Sequence, residues 1–170
     1  MSGAVPVTLR IADPDAMHEL GVRLGGRLRA GDLVLLTGPL GAGKTTLTRG
    51  IGEGLGVRGP VQSPTFVLAR THPSLSGGAP LVHVDAYRLG GADELDDLDI
   101  DFEGAVVVAE WGSGVVDRPG SWIEIVIERP VGGRLPAEGA VEADWSEVAV
   151  EARVVTVAGH GSRWSEGVLQ

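Results

Sequence analysis

The chemistry legible in this chain begins at its one lysine. Of the fourteen basic residues thirteen are arginine, and Lys44 stands alone. It lies in Gly38-Pro39-Leu40-Gly41-Ala42-Gly43-Lys44-Thr45-Thr46, which fits the phosphate-binding loop pattern of two spaced glycines followed by Lys-Thr. Phosphate binding needs these residue types at this spacing. Glycine lets successive backbone N–H groups turn inward around an anion, where a side chain would obstruct. A helix opening at the lysine aims its N-terminal dipole at the same anion. The Lys44 ammonium can bridge the β and γ phosphates of a nucleoside triphosphate, and the Thr45 hydroxyl can ligate magnesium. Even with 27 glycines in the chain, a chance match around the lone lysine has a probability of about three in a thousand.

Such a loop works with a carboxylate at the end of a neighbouring apolar strand, which holds magnesium directly or through water. Two residues qualify: Asp85 after Leu81-Val82-His83-Val84, and Glu110 after Ala105-Val106-Val107-Val108-Ala109. The carboxyl ends of parallel strands are where open α/β sheets place their ligands. Guanine-specific nucleotide sites commonly use an Asn-Lys-x-Asp loop. The single lysine is already committed, so ATP is favoured by elimination. His18, His72, His83 and His160 lack metal-ligand spacing and read as structural or solvent-facing. The acids Asp93, Glu94, Asp96, Asp97, Asp99, Asp101 and Glu103 read first as a solvated face, and second as a docking surface for a basic partner.

The remaining composition narrows the function by exclusion. No cysteine is present, which removes thiol catalysis, Cys-ligated zinc, iron–sulfur clusters and disulfides. A net charge of −9 and an aromatic share of 4% argue against a chain that grips nucleic acid unaided. The N-terminus lacks the basic start and apolar run of a secretion signal, and no stretch is apolar enough to span a bilayer. A cytoplasmic protein without membrane contact is the expectation.

The elements that must position these residues follow from apolar patterning. Val5 to Ile11 alternates as a peripheral strand. Asp13-Pro14 reads as an N-cap and first helical position, and Met17, Leu20, Leu24 and Leu28 recur at helical spacing until Gly31. Asp32 to Thr37 is a strand buried on both faces that runs into the glycine loop. The next helix carries Leu47, Ile51 and Leu55 on one stripe, with Gly56 as its cap. Strands are expected at Phe66 to Thr71, Leu81 to Asp85, Ala105 to Ala109, Trp122 to Glu128 and Val148 to Val157, with a short acidic helix and its exit over Gly90 to Glu103. The implied fold is α/β: a three-layer phosphate-loop NTPase fold with a mainly parallel central sheet. One domain covers residues 1–158, and 159–170 read as a frayed tail.

Three further segments give the chain a family resemblance. Ser63-Pro64-Thr65-Phe66, His83-Val84-Asp85-Ala86-Tyr87-Arg88-Leu89 and Val108-Ala109-Glu110-Trp111-Gly112, in this order and spacing after the phosphate loop, resemble the TsaE (YjeE) proteins. These are bacterial ATPases of tRNA threonylcarbamoyladenosine (t6A) synthesis. The resemblance implies that Thr45 and Glu110 ligate Mg2+, that Asp85 orders the metal's water shell, and that Thr65 senses the γ-phosphate. It puts Trp111 beside the site, and leaves an adenine-side arginine open between Arg129 and Arg153. The implied partners are TsaB and TsaD, whose complex modifies the adenosine next to the anticodon of ANN-decoding tRNAs. The tRNA would be met only through that complex, which ATP turnover would reset. A small-molecule kinase with Asp85 as base is the alternative from another class, and a nucleotide-binding module without turnover is a third.

Overall fold

A computed structural model describes residues 6–39, 43–57, 69–85, 97–110, 120–128, 152–165 and 167–169. The chain runs through β1 (Val7–Ile11), α1 (Pro14–Gly25), β2 (Leu33–Thr37), α2 (Lys44–Leu55), β3 (Ala69–His72), β4 (Leu81–Asp85), β5 (Val106–Glu110), β6 (Trp122–Glu128) and β7 (Arg153–His160), and a 3-10 turn follows at Ser162–Trp164. The seven strands form one sheet in the order β1-β7-β6-β2-β5-β4-β3. At its centre β2 pairs parallel with both β5 and β6, and β4 pairs parallel with β5. The edges reverse: β3 is antiparallel to β4, β7 to β6 and β1 to β7. The sheet is therefore mixed, with β1, β2, β4, β5 and β6 pointing one way.

The apolar runs explain this order. β2, β4 and β5 are buried along nearly their whole length, as strands covered on both faces must be. β6 alternates instead, with Ile123, Ile125 and Ile127 buried and half-covered residues between them. One face, lined by Val34, Leu36, Val106, Val108 and the β6 isoleucines, packs against Met17, Leu20 and Leu24 of α1 and Leu47 and Ile51 of α2. The opposite face, carrying Leu33, Leu35, Val107 and Ala109, is covered among the described residues by Leu98, Ile100, Phe102 and Trp122.

The two helices touch backbone to backbone. A Cβ on Gly21 would overlap the Leu47 carbonyl oxygen and lie 2.8 Å from Gly50 Cα. One on Gly54 would overlap the Val22 oxygen and lie 3.0 Å from Gly25 Cα. Gly21 and Gly25 of α1 thus face Gly50 and Gly54 of α2. Each interior glycine costs a helix about 1 kcal/mol against alanine. Close packing offsets that cost and locks the helix that begins at Lys44 onto its neighbour.

Local signals place the start of α1 and the end of α2. The Asp13 carboxylate accepts the Ala16 N–H at 2.8 Å, with Pro14 following in the first turn. α2 ends at Leu55 and is capped by Gly56, whose φ of 79° is the left-handed conformation expected there. Several boundaries differ from the sequence expectation. α1 stops at Gly25, because the Gly25-Gly26 pair weakens the helix and the chain exits through tighter turns that still bury Leu28. Gly31, at φ 95°, instead turns the chain into β2. β3 extends to His72, and the expected Phe66 to Leu68 lie outside the described residues.

The largest difference is at the C-terminus. The frayed tail expected from Gly159 is packed structure. Gly159 and His160 complete β7, pairing with Ile123 and Trp122. Trp164 and Val168 are buried in the helix-side core. A Cβ on Gly159 would collide with Trp164 and sit 2.8 Å from Val168 Cγ2. Glycine at this position is what lets Trp164 lie over the strand.

Candidate nucleotide site

β2 delivers the chain to the site. It ends at Thr37, and the carbonyl of the next residue, buried Gly38, accepts a hydrogen bond from Lys44 Nζ at 2.5 Å. Gly43 caps α2 at φ 111°, a left-handed geometry that side chains resist. It has no side chain to cap the helix, and the first turn contains no acid. The N-terminal N–H groups of α2 therefore open onto a surface electrostatically suited to an anion. Within α2, Thr48 Oγ1 donates back to the Lys44 carbonyl at 2.8 Å, and Thr45 and Thr46 are half-buried. Leu40, Gly41 and Ala42 lie outside the described residues.

The neighbouring parallel strands end at the same edge. Leu36 of β2 is in register with Glu110 of β5, and Asp85 of β4 is in register with Glu110. Glu110 is buried and Asp85 half-buried. Lys44 Nζ lies 3.9 Å from Glu110 Oε1. The other carboxylate oxygen, Oε2, lies 2.5 Å from His83 Nε2, and His83 is fully buried. A carboxylate oxygen only accepts, so the imidazole hydrogen sits on Nε2.

The sequence expectations thus fall into three groups. Lys44, Glu110 and Asp85 converge at the carboxyl ends of β2, β5 and β4, beside Gly38, Pro39, Gly43, Thr45 and Thr46. Thr65 with its Ser63 to Phe66 segment, Trp111, Arg129, Asp93, Glu94 and Asp96 lie outside the described residues. Arg153 opens β7 at the same end of the sheet, because its neighbour Val154 pairs with Glu128 at the end of β6.

His83 is the member that sequence reasoning passed over. Metal-ligand spacing was the wrong test for it. The informative signal is the two-residue step from His83 to Asp85, which puts both on one face of a strand. The other histidines lie elsewhere. His18 reaches Glu53 at 2.7 Å across the two helices, and His160 stacks on Trp122 with ring centroids 4.4 Å apart. His72 is buried on β3, with its pKa lowered by burial first and then by His83 and Arg70.

An oxygen-rich donor set of Thr45, Glu110 and Asp85 suits a hard cation such as magnesium. Among the described residues no three His, Cys, Asp or Glu side chains form a metal cage. Magnesium held partly by nucleotide phosphates needs no such cage. No described helix is long and apolar enough to cross a membrane.

Comparison with known proteins bears on the family and the fold. Residues 11–134 match the family model described as threonylcarbamoyl adenosine biosynthesis protein TsaE. The tRNA threonylcarbamoyladenosine biosynthesis protein TsaE of Streptomyces coelicolor is 56% identical over 153 residues, covering 88% of this chain and 94% of that protein. Its Mycobacterium tuberculosis counterpart is 57% identical over 108 residues, 58% of this chain and 64% of the other. The crystal structure of Bacillus subtilis YdiB superposes with a TM-score of 0.65 at 27% identity, covering 96% of this chain and 91% of YdiB. By the match over residues 11–134 and the 56% identity to the Streptomyces coelicolor protein, the chain belongs to the TsaE family of tRNA threonylcarbamoyladenosine biosynthesis proteins.

Proposed function

We propose that this protein is a magnesium-dependent ATP hydrolase that acts on a TsaB–TsaD complex during t6A synthesis. The observation that carries the proposal is the convergence of Lys44 and Glu110, 3.9 Å apart, at the carboxyl ends of adjacent parallel strands and the N-terminus of α2. Backbone N–H groups and Lys44 bind the phosphates. Thr45 and Glu110 hold magnesium, and Asp85 acts on it through water. Bound there, magnesium would neutralise charge developing on the phosphates. Thr65, in the segment between α2 and β3, couples the γ-phosphate to partner binding. The acidic net charge suits this division of labour, in which the partners hold the tRNA.

Two measurements on one preparation test it. ATP turnover should be weak alone and stimulated by purified TsaB–TsaD, and small hydroxyl compounds should not replace that pair. Glu110→Ala should lower turnover by about 10²-fold while ADP binding falls less than about threefold. Phosphorylation of a small hydroxyl compound would instead indicate a kinase. Equal loss of binding and turnover would make Glu110 structural.

A further inference from the structure

His83 has no part in the function proposed above, yet it is the side chain most tightly tied to Glu110. We propose that His83 is a positioning residue: its Nε2–H holds one carboxylate oxygen of Glu110 so that the other faces the magnesium–nucleotide. The inference rests on the reading of Glu110 as a metal-serving carboxylate.

The two oxygens of Glu110 have different surroundings. Oε2 is 2.5 Å from the fully buried His83, whereas Oε1 faces Lys44 at 3.9 Å, beyond hydrogen-bond distance. A glutamate has three side-chain torsions, and a fixed donor on one oxygen removes most of that freedom during folding, before any ligand arrives. The donor is itself fixed, because β4 is locked in parallel register with β5, pairing His83 with Val108 and Asp85 with Glu110. One strand thus supplies both the clamp on the first carboxylate and the second carboxylate.

A purely packing role explains the histidine poorly. His83 lies on the β4 face that also carries Leu81, and an apolar residue would fill the same space. The imidazole instead buries Nδ1 with no partner among the described residues. A buried polar atom without a partner is a cost that packing alone does not require.

The test compares His83→Leu, His83→Gln, His83→Asn and Glu110→Ala. Each is titrated with Mg2+ while binding of a fluorescent ADP is read, and thermal melting reports folding. His83→Leu should raise the Mg2+ midpoint by about 10-fold, the scale of losing an orienting partner behind a metal ligand. Its ADP affinity without metal should stay within about twofold of wild type. His83→Gln can offer an amide N–H to the same oxygen and should return the midpoint to within about threefold. His83→Asn is too short to do so and should resemble His83→Leu. An unchanged midpoint in folded His83→Leu would overturn the proposal. If that variant does not fold, equal midpoints for His83→Gln and His83→Asn would overturn it. A shifted midpoint in Glu110→Ala but not in His83→Leu removes only the positioning role. No shift in Glu110→Ala removes the metal reading, and the proposal with it.

Discussion

Two acidic side chains at opposite ends of the sheet are held in opposite ways. Asp32, just before β2, has both oxygens hydrogen-bonded. Its Oδ1 accepts from Arg163 Nε at 2.7 Å, and its Oδ2 from Arg163 Nη2 at 2.7 Å and the Arg29 N–H at 2.8 Å. The same guanidinium donates to the Arg27 carbonyl at 2.8 Å and lies 4.2 Å from the Trp164 ring centroid. Glu110, at the far end of β5, has one oxygen on His83 and the other short of a hydrogen bond to Lys44. Both are buried carboxylates near a cation, and the difference is completion. A fork-on-fork pair with both carboxylate oxygens bonded fastens the C-terminal segment to the start of β2. A carboxylate with one oxygen left to face Lys44 across 3.9 Å can receive a ligand.

The contrast can be broken first at its functional end. Lys44→Ala should cut ATP turnover about 10²–10³-fold with little change in melting temperature. Lys44→Arg should not rescue it, since a planar guanidinium cannot mimic a compact ammonium in a tight loop. Near-normal hydrolysis by Lys44→Ala would end the phosphate-loop assignment.

The next effect belongs to the structural end. Arg163→Ala leaves Asp32 buried with only the Arg29 N–H, and should cost about 2–4 kcal/mol in denaturant unfolding. Turnover per folded molecule should stay within about twofold, because the change lies at the opposite end of the sheet. Pairing Asp32→Leu with Arg163→Met should recover much of the stability, as apolar replacement of a buried ion pair commonly does. A turnover loss as large as that of Lys44→Ala would show that the two ends are coupled.

The smallest effect is on pH dependence. The His72 pKa lies below its ordinary 6.5, chiefly through burial, so between that value and the lowered one the unfolded chain binds more protons. Stability from this source is complete above about pH 6.5 and is lost as pH falls through the lowered value. His72→Gln should flatten the acid limb of a melting-temperature profile over that window. An unchanged slope would assign the acid loss to other groups.

How far the sequence could be read depended on how local each cause was. The Asp13-Pro14 start of α1 and the Gly56 cap of α2 act within one turn of chain, and both sit where the pattern placed them. The apolar runs of β2, β4 and β5 were legible because strands covered on both faces are mostly apolar along their length. The end of α1 and the fate of Gly159 were misread because a glycine carries no pattern of its own. Only its neighbour in space distinguishes a frayed end from a contact a Cβ would prevent.

The sequence by itself determined which residues could bind phosphate and which acids end buried strands. It did so through residue type and short spacing, and these were enough to suggest the family. Only the tertiary structure decided which side chains meet. The His83–Glu110 contact spans 27 residues of chain and the Arg163–Asp32 fork 131. Each depends on sheet order and register, which place β4 beside β5 and bring the C-terminal turn against the entrance to β2. A strand's own pattern specifies which face each residue takes. Its partner across the sheet is set by the strand beside it, and that is decided by packing the whole core at once.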